Sequence, residues 1–513
     1  MVNFKSPIAV IDVGAHFARL EIVQASSKGK KYETLEKLSN VAPLGIDVFT
    51  RGKISTQNTF LIGKILKDYS AVIKEYDVKY IKAVATSAVR EASNSDIFIE
   101  RVEKLSGIRL QELDSTLESR LLFMAIKNSF MQSPLFTEKN ALICSVGTGA
   151  TLVSFVEKGI LKSSENTRLG SLRLLEELER PLANIHLKEV IKPFVESSAK
   201  DMLAHSTVNF KNGIMIGVGS SVRALLRLSD KMQLDENGMR FIDIANFDDL
   251  YLQISEMKTD EIAGKLGISD TLAQSIEPCC AILYHFFHAS NAEKIIIPDI
   301  STRDAIVSDF IRELKNEHDP FTPYIISSVK SFGEKFFYDP KHASMVASMS
   351  MHIFENTHFL HGLNEKDALL LSVAAYLHDI GLYVSSRKHH KHSYYLIRNA
   401  HIPGISSKDI EIISLIARYH RGGFPKNTHS EYQILGSEDK VKVNALAAIL
   451  RIADSLDFIH KFEIAKIKFD HRKKVMEIIL DGIVDAVLEN WAAKQKANLF
   501  KEVFGYKVRI TGR

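Results

Sequence analysis

IAVIDVGAHFARLEIVQ (residues 8–24) and ALICSVGTGATLVSFVE (residues 141–157) are the two stretches that decide the fold. Each begins as an apolar, β-branched run, bends at glycine and continues as a second apolar run, which predicts a β-hairpin. A shift of 133 positions superposes four pairs of residues: Val10 on Ile143, Val13 on Val146, Gly14 on Gly147, and Leu20 on Val153. The repeat predicts two related lobes that face each other, although unrelated apolar hairpins with glycine bends would align similarly.

Further along the chain, alternating strand and helix patterns give way to almost wholly helical ones. The polar stretch NEHDPFTP, which begins at residue 316, carries two prolines and predicts a linker. Beyond residue 320, apolar residues recur at helical spacing, and 13 of the 19 histidines lie there. The predicted fold class is α/β plus all-α, in four parts: lobe I at 1–130, lobe II at 131–315, a helical domain at 320–462, and a small C-terminal α+β element at 463–513.

Composition narrows the class of protein. With 513 residues and a formal charge of +4, the chain lacks the concentrated basic character of a specific nucleic-acid binder. Charged residues interrupt the N-terminus, so no signal peptide is expected, and the apolar stretch at 276–287 is too short for a membrane span. The three cysteines form no CxxC pair. A cytoplasmic protein without a membrane partner is predicted.

Four strand ends carry residues suited to binding an anion. They are Asp12 with Gly14; Thr86, Ser87 and Arg90 after a strand at 81–85; Gly147, Thr148 and Gly149; and Gly219, Ser220, Ser221 and Arg223. Glycine lets a phosphate approach the backbone, while free N–H groups and a nearby arginine converge on one anion. Each pattern alone also fits an ordinary turn or helix cap. The repetition of strand, hydroxyl residues and arginine favours phosphate binding.

Several segments resemble one known family, the Ppx/GppA phosphatases, which comprise exopolyphosphatases and guanosine pentaphosphate phosphohydrolases. They are VATSAVREASN at 84–94, LGSLRL at 169–174, VGSSVRAL at 218–225, and ENWAAKQKANLFKEVFG at 489–505. The last is similar to the terminal element of the long members, which carry a C-terminal HD-type domain. The resemblance implies two ribonuclease H-like lobes of the actin/Hsp70 type.

The resemblance also implies an enzyme in which water attacks the terminal phosphoryl group of polyphosphate or guanosine pentaphosphate. Glu118 would be the general base, and Asp12 with an acid in the second bend would hold Mg²⁺. Arg19, Arg90 and the glycine-rich bends would bind the phosphate oxygens. A homodimer is expected from the family.

Three departures from the family pattern concern the chemistry. Ser145 stands where the family has its metal- and water-orienting aspartate, Leu152 stands where it has a glutamate, and Leu117 replaces the neighbour of Glu118. A hydroxyl is a poor substitute for an anionic ligand of Mg²⁺, so metal binding should weaken. Hydrolysis is therefore expected to be inherited but reduced.

In the helical part, one histidine and aspartate pair lies in LHDIG, at residues 377–381, on a predicted helix. With His342 and Asp454, the pair His378 and Asp379 resembles the H…HD…D signature of HD-type phosphohydrolases, which implies a divalent metal. Imidazole and carboxylate ligands suit Mn²⁺, Fe, Zn²⁺ or Mg²⁺. HHKHS (389–393) and RYHR (418–421) supply further histidines, and any one histidine also fits a solvated helix position.

Three functional hypotheses remain open on the sequence. The first is hydrolysis of a phosphoanhydride through Glu118. The second moves the chemistry to the HD-type site, where a metal would act on a nucleotide or another phosphoester. The third is a catalytically degenerate regulator that binds phosphate or nucleotide without turnover.

Overall fold

The computed structural model describes residues 6–25, 32–130, 133–179, 187–235, 238–315, 317–456, 464–481 and 487–512. The chain divides into two compact units, Met1–Phe321 and Thr322–Arg513. None of the helices within these described ranges combines the length and apolar composition that crossing a membrane requires. The predicted boundaries after residues 130 and 462 adjoin stretches outside the described residues, so the four-part division stays a prediction.

The first sheet of the first unit has the order β3-β2-β1-β4-β5. Its strands are β1 (Ile8–Val13), β2 (Phe17–Ala25), β3 (Tyr32–Val41), β4 (Tyr80–Ala85) and β5 (Gln111–Glu112). The hairpin neighbours are antiparallel, whereas β4 runs parallel to β1 with Ala85 beside Val13. The carboxyl ends of β1 and β4 therefore meet at one edge.

The second sheet has the order β10-β11-β12-β9-β6-β7-β8. Its strands are β6 (Ala141–Val146), β7 (Thr151–Glu157), β8 (Ile160–Thr167), β9 (Ile214–Val218), β10 (Gln233–Leu234), β11 (Arg240–Asp243) and β12 (Lys294–Ile296). Read from β8 to β12, the order and strand directions repeat those of the first sheet from β3 to β5. This repeat of topology is what a duplicated pair of lobes requires.

Helices cover these sheets. They are α1 (Leu44–Arg51), α2 (Thr56–Glu75), α3 (Ser87–Glu91), α4 (Ser95–Ser106), α5 (Ser115–Ser129), α6 (Leu135–Glu138), α7 (Arg173–Glu179), α8 (Leu187–Ala204), α9 (Ser220–Leu226), α10 (Ile244–Glu256), α11 (Thr259–Leu266), α12 (Asp270–Gln274), α13 (Ile276–Ser290) and α14 (Thr302–Leu314). The central strands are apolar on both faces because helices pack on both sides of them, as in α/β proteins.

The second unit is mainly helical. Its helices are α15 (Thr322–Glu334), α16 (Pro340–Asn356), α17 (His358–His361), α18 (Glu365–Leu377), α19 (His389–Arg398), α20 (Ser407–Tyr419), α21 (Ser430–Gln433), α22 (Ser437–Leu456), α23 (Val487–Lys496) and α24 (Asn498–Phe504). A short sheet follows the order β13 (Ile464–Asp470), β14 (Val475–Leu480) and β15 (Lys507–Gly512). The described residues of the predicted C-terminal α+β element, 463–513, contain α23, α24 and these three strands.

One local expectation was met in part and one was wrong. The border between the two compact units, after Phe321, falls within the predicted linker. The predicted linker ends earlier than expected, because Thr322 already begins α15, where Pro323 is tolerated in the first turn. The LHDIG segment does not lie within a helix: α18 ends at Leu377, and a 3-10 helix follows at Ile380–Tyr383. The chain turns there because a side chain at Gly381 would overlap the carbonyl oxygen of His389, so only glycine permits this approach.

Gly219 holds the strand end of β9 against β6. It has φ of 143°, and a Cβ at this position would collide with the carbonyl oxygen of Val146. We expect Gly219→Ala to lower the free energy of unfolding of the first unit by about 1–3 kcal/mol, because the new methyl group is both strained and obstructed. Urea denaturation followed by circular dichroism would measure the change.

Gly264 is the matched control for this substitution. It is exposed in α11 with open space around its Cα. Gly264→Ala should stabilise the protein by about 0.5–1 kcal/mol, because alanine is the better helix former. Equal effects of the two substitutions would contradict the structural role assigned to Gly219.

Candidate functional site

A cleft of about 150 Å³ in the first unit gathers the predicted phosphate-binding residues. Of the residues predicted from sequence, Asp12, Gly14, Arg19, Thr86, Ser87, Arg90, Glu118, Gly147, Thr148, Gly149, Gly219 and Ser220 line it. They converge because parallel strands β1 and β4, and likewise β6 and β9, end at the same edge of their sheets. Ser221 is the exception: it is buried, and its hydroxyl is hydrogen-bonded to that of Ser275 at 2.7 Å.

The two hairpin bends have the same hydrogen-bond pattern. The N–H of Gly14 donates to the carbonyl of Phe17 at 2.8 Å, and the N–H of Gly147 donates to the carbonyl of Ala150 at 2.9 Å. Both bends thus close on the residue three positions later. Each lobe contributes one such turn to the cleft, as the repeat in the sequence predicts.

Gly149 brings the second bend against the first lobe. A Cβ at this position would lie 2.7 Å from Ser87 Oγ and 2.7 Å from a ring carbon of Phe49. Arg173 in LGSLRL fixes the approach, since its guanidinium donates to the carbonyl of Gly149 at 3.3 Å and pairs with Glu91 at 3.0 Å. LGSLRL therefore acts as a buried clamp between the two bend segments.

The cleft contains more positive than negative charge. Arg19 lies 3.6 Å from Asp12, and Arg90 lies 3.9 Å from Glu118. The Arg90 guanidinium also donates to the carbonyl of Leu113 at 2.5 Å, which orients it toward the start of α5. Because arginine forks match phosphate oxygens, this charge balance suits a polyanion.

Burial shifts the pKa values of two side chains in the cleft, Glu118 and Arg19. It raises the pKa of Glu118; Arg90 opposes this shift and Asp12 adds to it. Burial also lowers the pKa of Arg19, and the nearby Arg303 and Arg223 lower it further while Asp12 counteracts them. A carboxyl group with a raised pKa beside an anion site has the character of a general base or acid.

Sequence reasoning missed four polar residues of the cleft: Asn166, Ser301, Thr302 and Arg303. The last three begin α14, which has a capping box of Ser301 and Asp304 after the β12 strand. Strand, hydroxyl residue and arginine in the first turn repeat the pattern at Thr86 and Ser220, so this signal was present in the sequence. Asn166 has no such signal, because only the pairing of β8 with β7 places it beside Leu152.

Both substituted positions of the second hairpin face the cleft. Ser145 and Leu152 lie opposite each other on β6 and β7 and both line it. Ser145 contributes a hydroxyl here, Asn166 beside Leu152 contributes an amide, and the carboxylate of Asp12 lines the same cleft. The second hairpin therefore presents neutral oxygen donors where an acidic pair was expected from the family pattern.

A separate pocket of about 820 Å³ in the second unit holds the histidine and aspartate quartet. His342 Nε2 lies 3.3 Å from His378 Nε2, and each nitrogen is 3.7 Å from Asp454 Oδ1. Asp379 Oδ2 is 3.8 Å from His342 Nε2 and 3.6 Å from His378 Nε2. The four side chains thus point their ligand atoms at one small space.

Electrostatics couple these groups. Burial disfavours the charged form of His378, but Asp379 and Asp454 outweigh it and raise its pKa to about 9. Although burial opposes it, His378 holds the pKa of both aspartates well below the usual range. Lys496 from α23 also pairs with Asp454. Two half-buried carboxylates therefore concentrate negative charge, which His378 and Lys496 offset.

Comparison with known proteins identifies the family. The sequence pattern of the Ppx/GppA phosphatase family matches residues 23–313, and that of Ppx/GppA phosphatase domain III matches residues 326–495. A guanosine-5'-triphosphate,3'-diphosphate pyrophosphatase of Pseudoalteromonas translucida is 23% identical over 88% of this chain and 86% of its own. Its counterpart in Aliivibrio fischeri is 20% identical over 92% of this chain and 91% of its own.

Solved structures agree on the fold. A crystal structure of an exopolyphosphatase from Cytophaga hutchinsonii matches 61% of this chain and 99% of its own, with a TM-score of 0.50 and 18% identity. At that identity the likeness concerns the fold alone. The match to the Ppx/GppA phosphatase family, at residues 23–313, covers more than half of this chain. The chain therefore belongs to the Ppx/GppA phosphatase family.

Proposed function

We propose that the cleft of the first unit hydrolyses the terminal phosphoanhydride of inorganic polyphosphate or guanosine pentaphosphate and releases orthophosphate. One observation carries the proposal: Glu118 and four arginines, Arg19, Arg90, Arg223 and Arg303, line one narrow cleft between two glycine bends. Both substrates end in phosphates that are joined by phosphoanhydride bonds. One relative is named a guanosine-5'-triphosphate,3'-diphosphate pyrophosphatase, and a protein of the same fold is named an exopolyphosphatase.

The position of each residue in the cleft determines its role in the proposed reaction. Backbone N–H groups of the bends and the arginines bind the phosphoryl oxygens, where charge develops during transfer. Glu118 accepts a proton from the attacking water, and burial makes it a stronger base than an exposed glutamate. The water oxygen bonds to phosphorus as the anhydride bond breaks, so orthophosphate leaves with the water oxygen.

Asp12, Ser145 and Asn166 would hold Mg²⁺ in this cleft, since their oxygen atoms are ligands that Mg²⁺ prefers. The ion would neutralise charge on the phosphate oxygens. Only Asp12 of these donors is anionic, so affinity for Mg²⁺ should be lower than with two carboxylates. The arginines supply part of the missing positive charge.

A second function is favoured by the quartet in the second unit. We propose that His342, His378, Asp379 and Asp454 form an HD-type site for a divalent ion such as Mn²⁺, Fe, Zn²⁺ or Mg²⁺. Their mutual distances of 3.3–3.8 Å suit ligands that share one ion. The homodimer and the cytoplasmic location implied by the resemblance remain predictions.

Glu118→Gln should separate the two sites. We expect phosphate release from polyphosphate or guanosine pentaphosphate to fall by about 10²–10⁴-fold, the usual contribution of a general base. The double variant His378→Ala with Asp379→Ala should keep wild-type release. A phosphate-release assay with Mg²⁺ and with Mn²⁺ measures both.

Glu112 offers the matched control for this test. The Glu112 carboxylate interacts with Arg90 through charge, but Glu112 does not line the cleft. Glu112→Gln should therefore retain activity. The reverse pattern, with loss only in the histidine and aspartate variant, would place the chemistry in the second unit. Binding of either substrate with no release by the wild-type protein would identify a regulator instead.

Ser145→Asp tests the degenerate second bend. A second carboxylate should lower the Mg²⁺ concentration needed for half-maximal release on the order of tenfold, because affinity follows ligand charge. Ser145→Asn has a similar shape without the charge and should leave the requirement unchanged. The same shift in both variants would show that Ser145 does not lie near the ion.

Glu118→Gln should also change stability with pH. Because burial raises the pKa of Glu118 above its ordinary value of 4.5, the folded state retains a proton that the unfolded chain releases. Stability therefore falls as pH rises from 4.5 through the raised pKa, and ionised Glu118 destabilises the fold above it. The variant should melt a few degrees higher than wild type near about pH 8, and the gain should vanish near about pH 4. Differential scanning fluorimetry across pH measures this; a gain that grows on acidification would contradict it.

A further inference from the structure

One buried histidine–carboxylate pair joins lobe I to lobe II beside the cleft. His16 follows the first glycine bend, and Glu176 lies on α7 in lobe II. The Nε2 atom of His16 is 2.7 Å from Oε1 of Glu176, and the two side chains are 4% and 16% exposed. Neither residue lines the cleft. The pair is therefore a contact between the lobes that the proposed chemistry does not use.

The imidazole ring of His16 depends on this partner. A carboxylate oxygen only accepts, so Nε2 of His16 carries the proton and donates it to Glu176. Nδ1 of the same ring is buried without a hydrogen-bond partner among the described residues. The bond to Glu176 is thus the one hydrogen bond that the described residues give this ring. Separation of the lobes would leave two buried polar groups unpaired, which is costly.

Lobe I holds the His16 ring in one orientation. The carbonyl of His16 accepts the N–H of Ala42 at 2.9 Å, and the carbonyl of Ala15 accepts the N–H of Gly45 at 2.7 Å. A Cβ at Gly45 would lie 2.6 Å from Cε1 of His16, so only glycine leaves room for the ring. These contacts fix the direction in which Nε2 points.

On the other side, α7 contacts lobe I through two side chains. Arg173 and Glu176 are three residues apart, so they lie on one face of the helix. Arg173 pairs with Glu91 of α3 at 3.0 Å, and its guanidinium lies 4.3 Å from the centroid of the Phe49 ring. Together with the bond to His16, this gives α7 two attachment points on lobe I, which prevent it from rotating about either one.

The bridge lies next to the place where the two bends meet. A Cβ at Gly149 would lie 3.2 Å from Cβ of Ala15, the residue before His16. A groove of about 580 Å³ borders the bridge, and its apolar lining residues are Val41, Pro43 and Ile46 of lobe I and Leu172 and Leu175 of lobe II. Because the lobes do not pack closely across this groove, apolar contacts there cannot replace the bridge.

We propose that His16 and Glu176 are positioning residues for the cleft, and that their bond keeps the two glycine bends in the register that binds terminal phosphates. The inference rests on the proposed function and adds the contact that sets the affinity of the cleft. Without the bond, the arrangement that binds phosphate is less populated, and the apparent dissociation constant rises in inverse proportion to that population. Bound substrate restores the arrangement, so turnover is unchanged.

Kinetics of His16→Leu and Glu176→Leu test this role. With Mg²⁺ present, each substitution should raise KM for inorganic tripolyphosphate on the order of tenfold and leave kcat within about twofold, because a buried hydrogen bond to a charged group is lost. His16→Gln should keep a KM near that of wild type, since its amide nitrogen can take the place of Nε2 and donate. A fall in kcat at unchanged KM, which a smaller folded fraction produces, would overturn the inference.

His288→Leu is the matched control. Nε2 of His288 lies 2.7 Å from Oδ1 of Asp248, the same distance as in the bridge, but both residues belong to lobe II. Loss of this pair should change neither KM nor kcat. An equal rise of KM in the control would also overturn the positioning role, because the effect would then not depend on a contact between the lobes.

Hydrogen exchange separates failure of this inference from failure of the proposed function. Backbone exchange is measured on the full-length protein without substrate, for wild type, His16→Leu and the control. Loss of the bridge should speed exchange at the second bend, residues 147–150, as well as at residues 14–17. Unchanged exchange at 147–150 would overturn the inference, since the ring would then support only its own lobe. If both bends exchange faster but wild type releases no phosphate, the proposed function fails and the positioning role stands.

Discussion

The approach of Gly149 to Ser87 and Phe49 is the contact on which the cleft of the first unit depends. There is no room for a side chain at this position, since a Cβ would come within 2.7 Å of either neighbour. The second bend can therefore lie directly against the segment after β4. Arg173, buried between Glu91 and the carbonyl of Gly149, converts this close contact into a fixed one.

The cleft that results has more positive than negative charge among its lining residues, which suits the proposed binding of a polyanion. Burial alone would favour a protonated Glu118, and Arg90 at 3.9 Å counteracts that tendency. A bound polyphosphate would pair with the arginines and leave Glu118 as the group free to accept a proton.

In the second unit the governing constraint is the orientation of imidazole rings. His378 and His420 each follow the last residue of a helix and direct Nδ1 to the carbonyl three residues earlier, Ala375 and Ala417. The same local geometry, repeated on α18 and α20, turns two Nε2 atoms toward Asp379. Asp379 therefore lies between two histidine nitrogens because two equivalent helix ends meet beside it.

The sequence alone determined the elements whose signals are local. The hairpins at 8–24 and 141–157 and their glycine bends follow from short patterns of apolar and glycine residues. The quartet of histidine and aspartate residues was indicated by its resemblance to the HD-type signature. The four segments that resemble the Ppx/GppA phosphatases were also enough to predict the family. Strand ends were predictable within about two residues, because turn chemistry is encoded where it occurs.

Only the tertiary structure decided which distant groups meet. Asn166 lies in the cleft because β8 pairs with β7, and Arg303 lies there because it is in the first turn of α14. Ser221 does not line the cleft, since its hydroxyl is hydrogen-bonded to that of Ser275 in the interior. LHDIG ends a helix instead of continuing it, because Gly381 must admit the backbone of His389. These outcomes depend on close packing between segments far apart in the chain, and a local pattern of residues carries no information about such contacts.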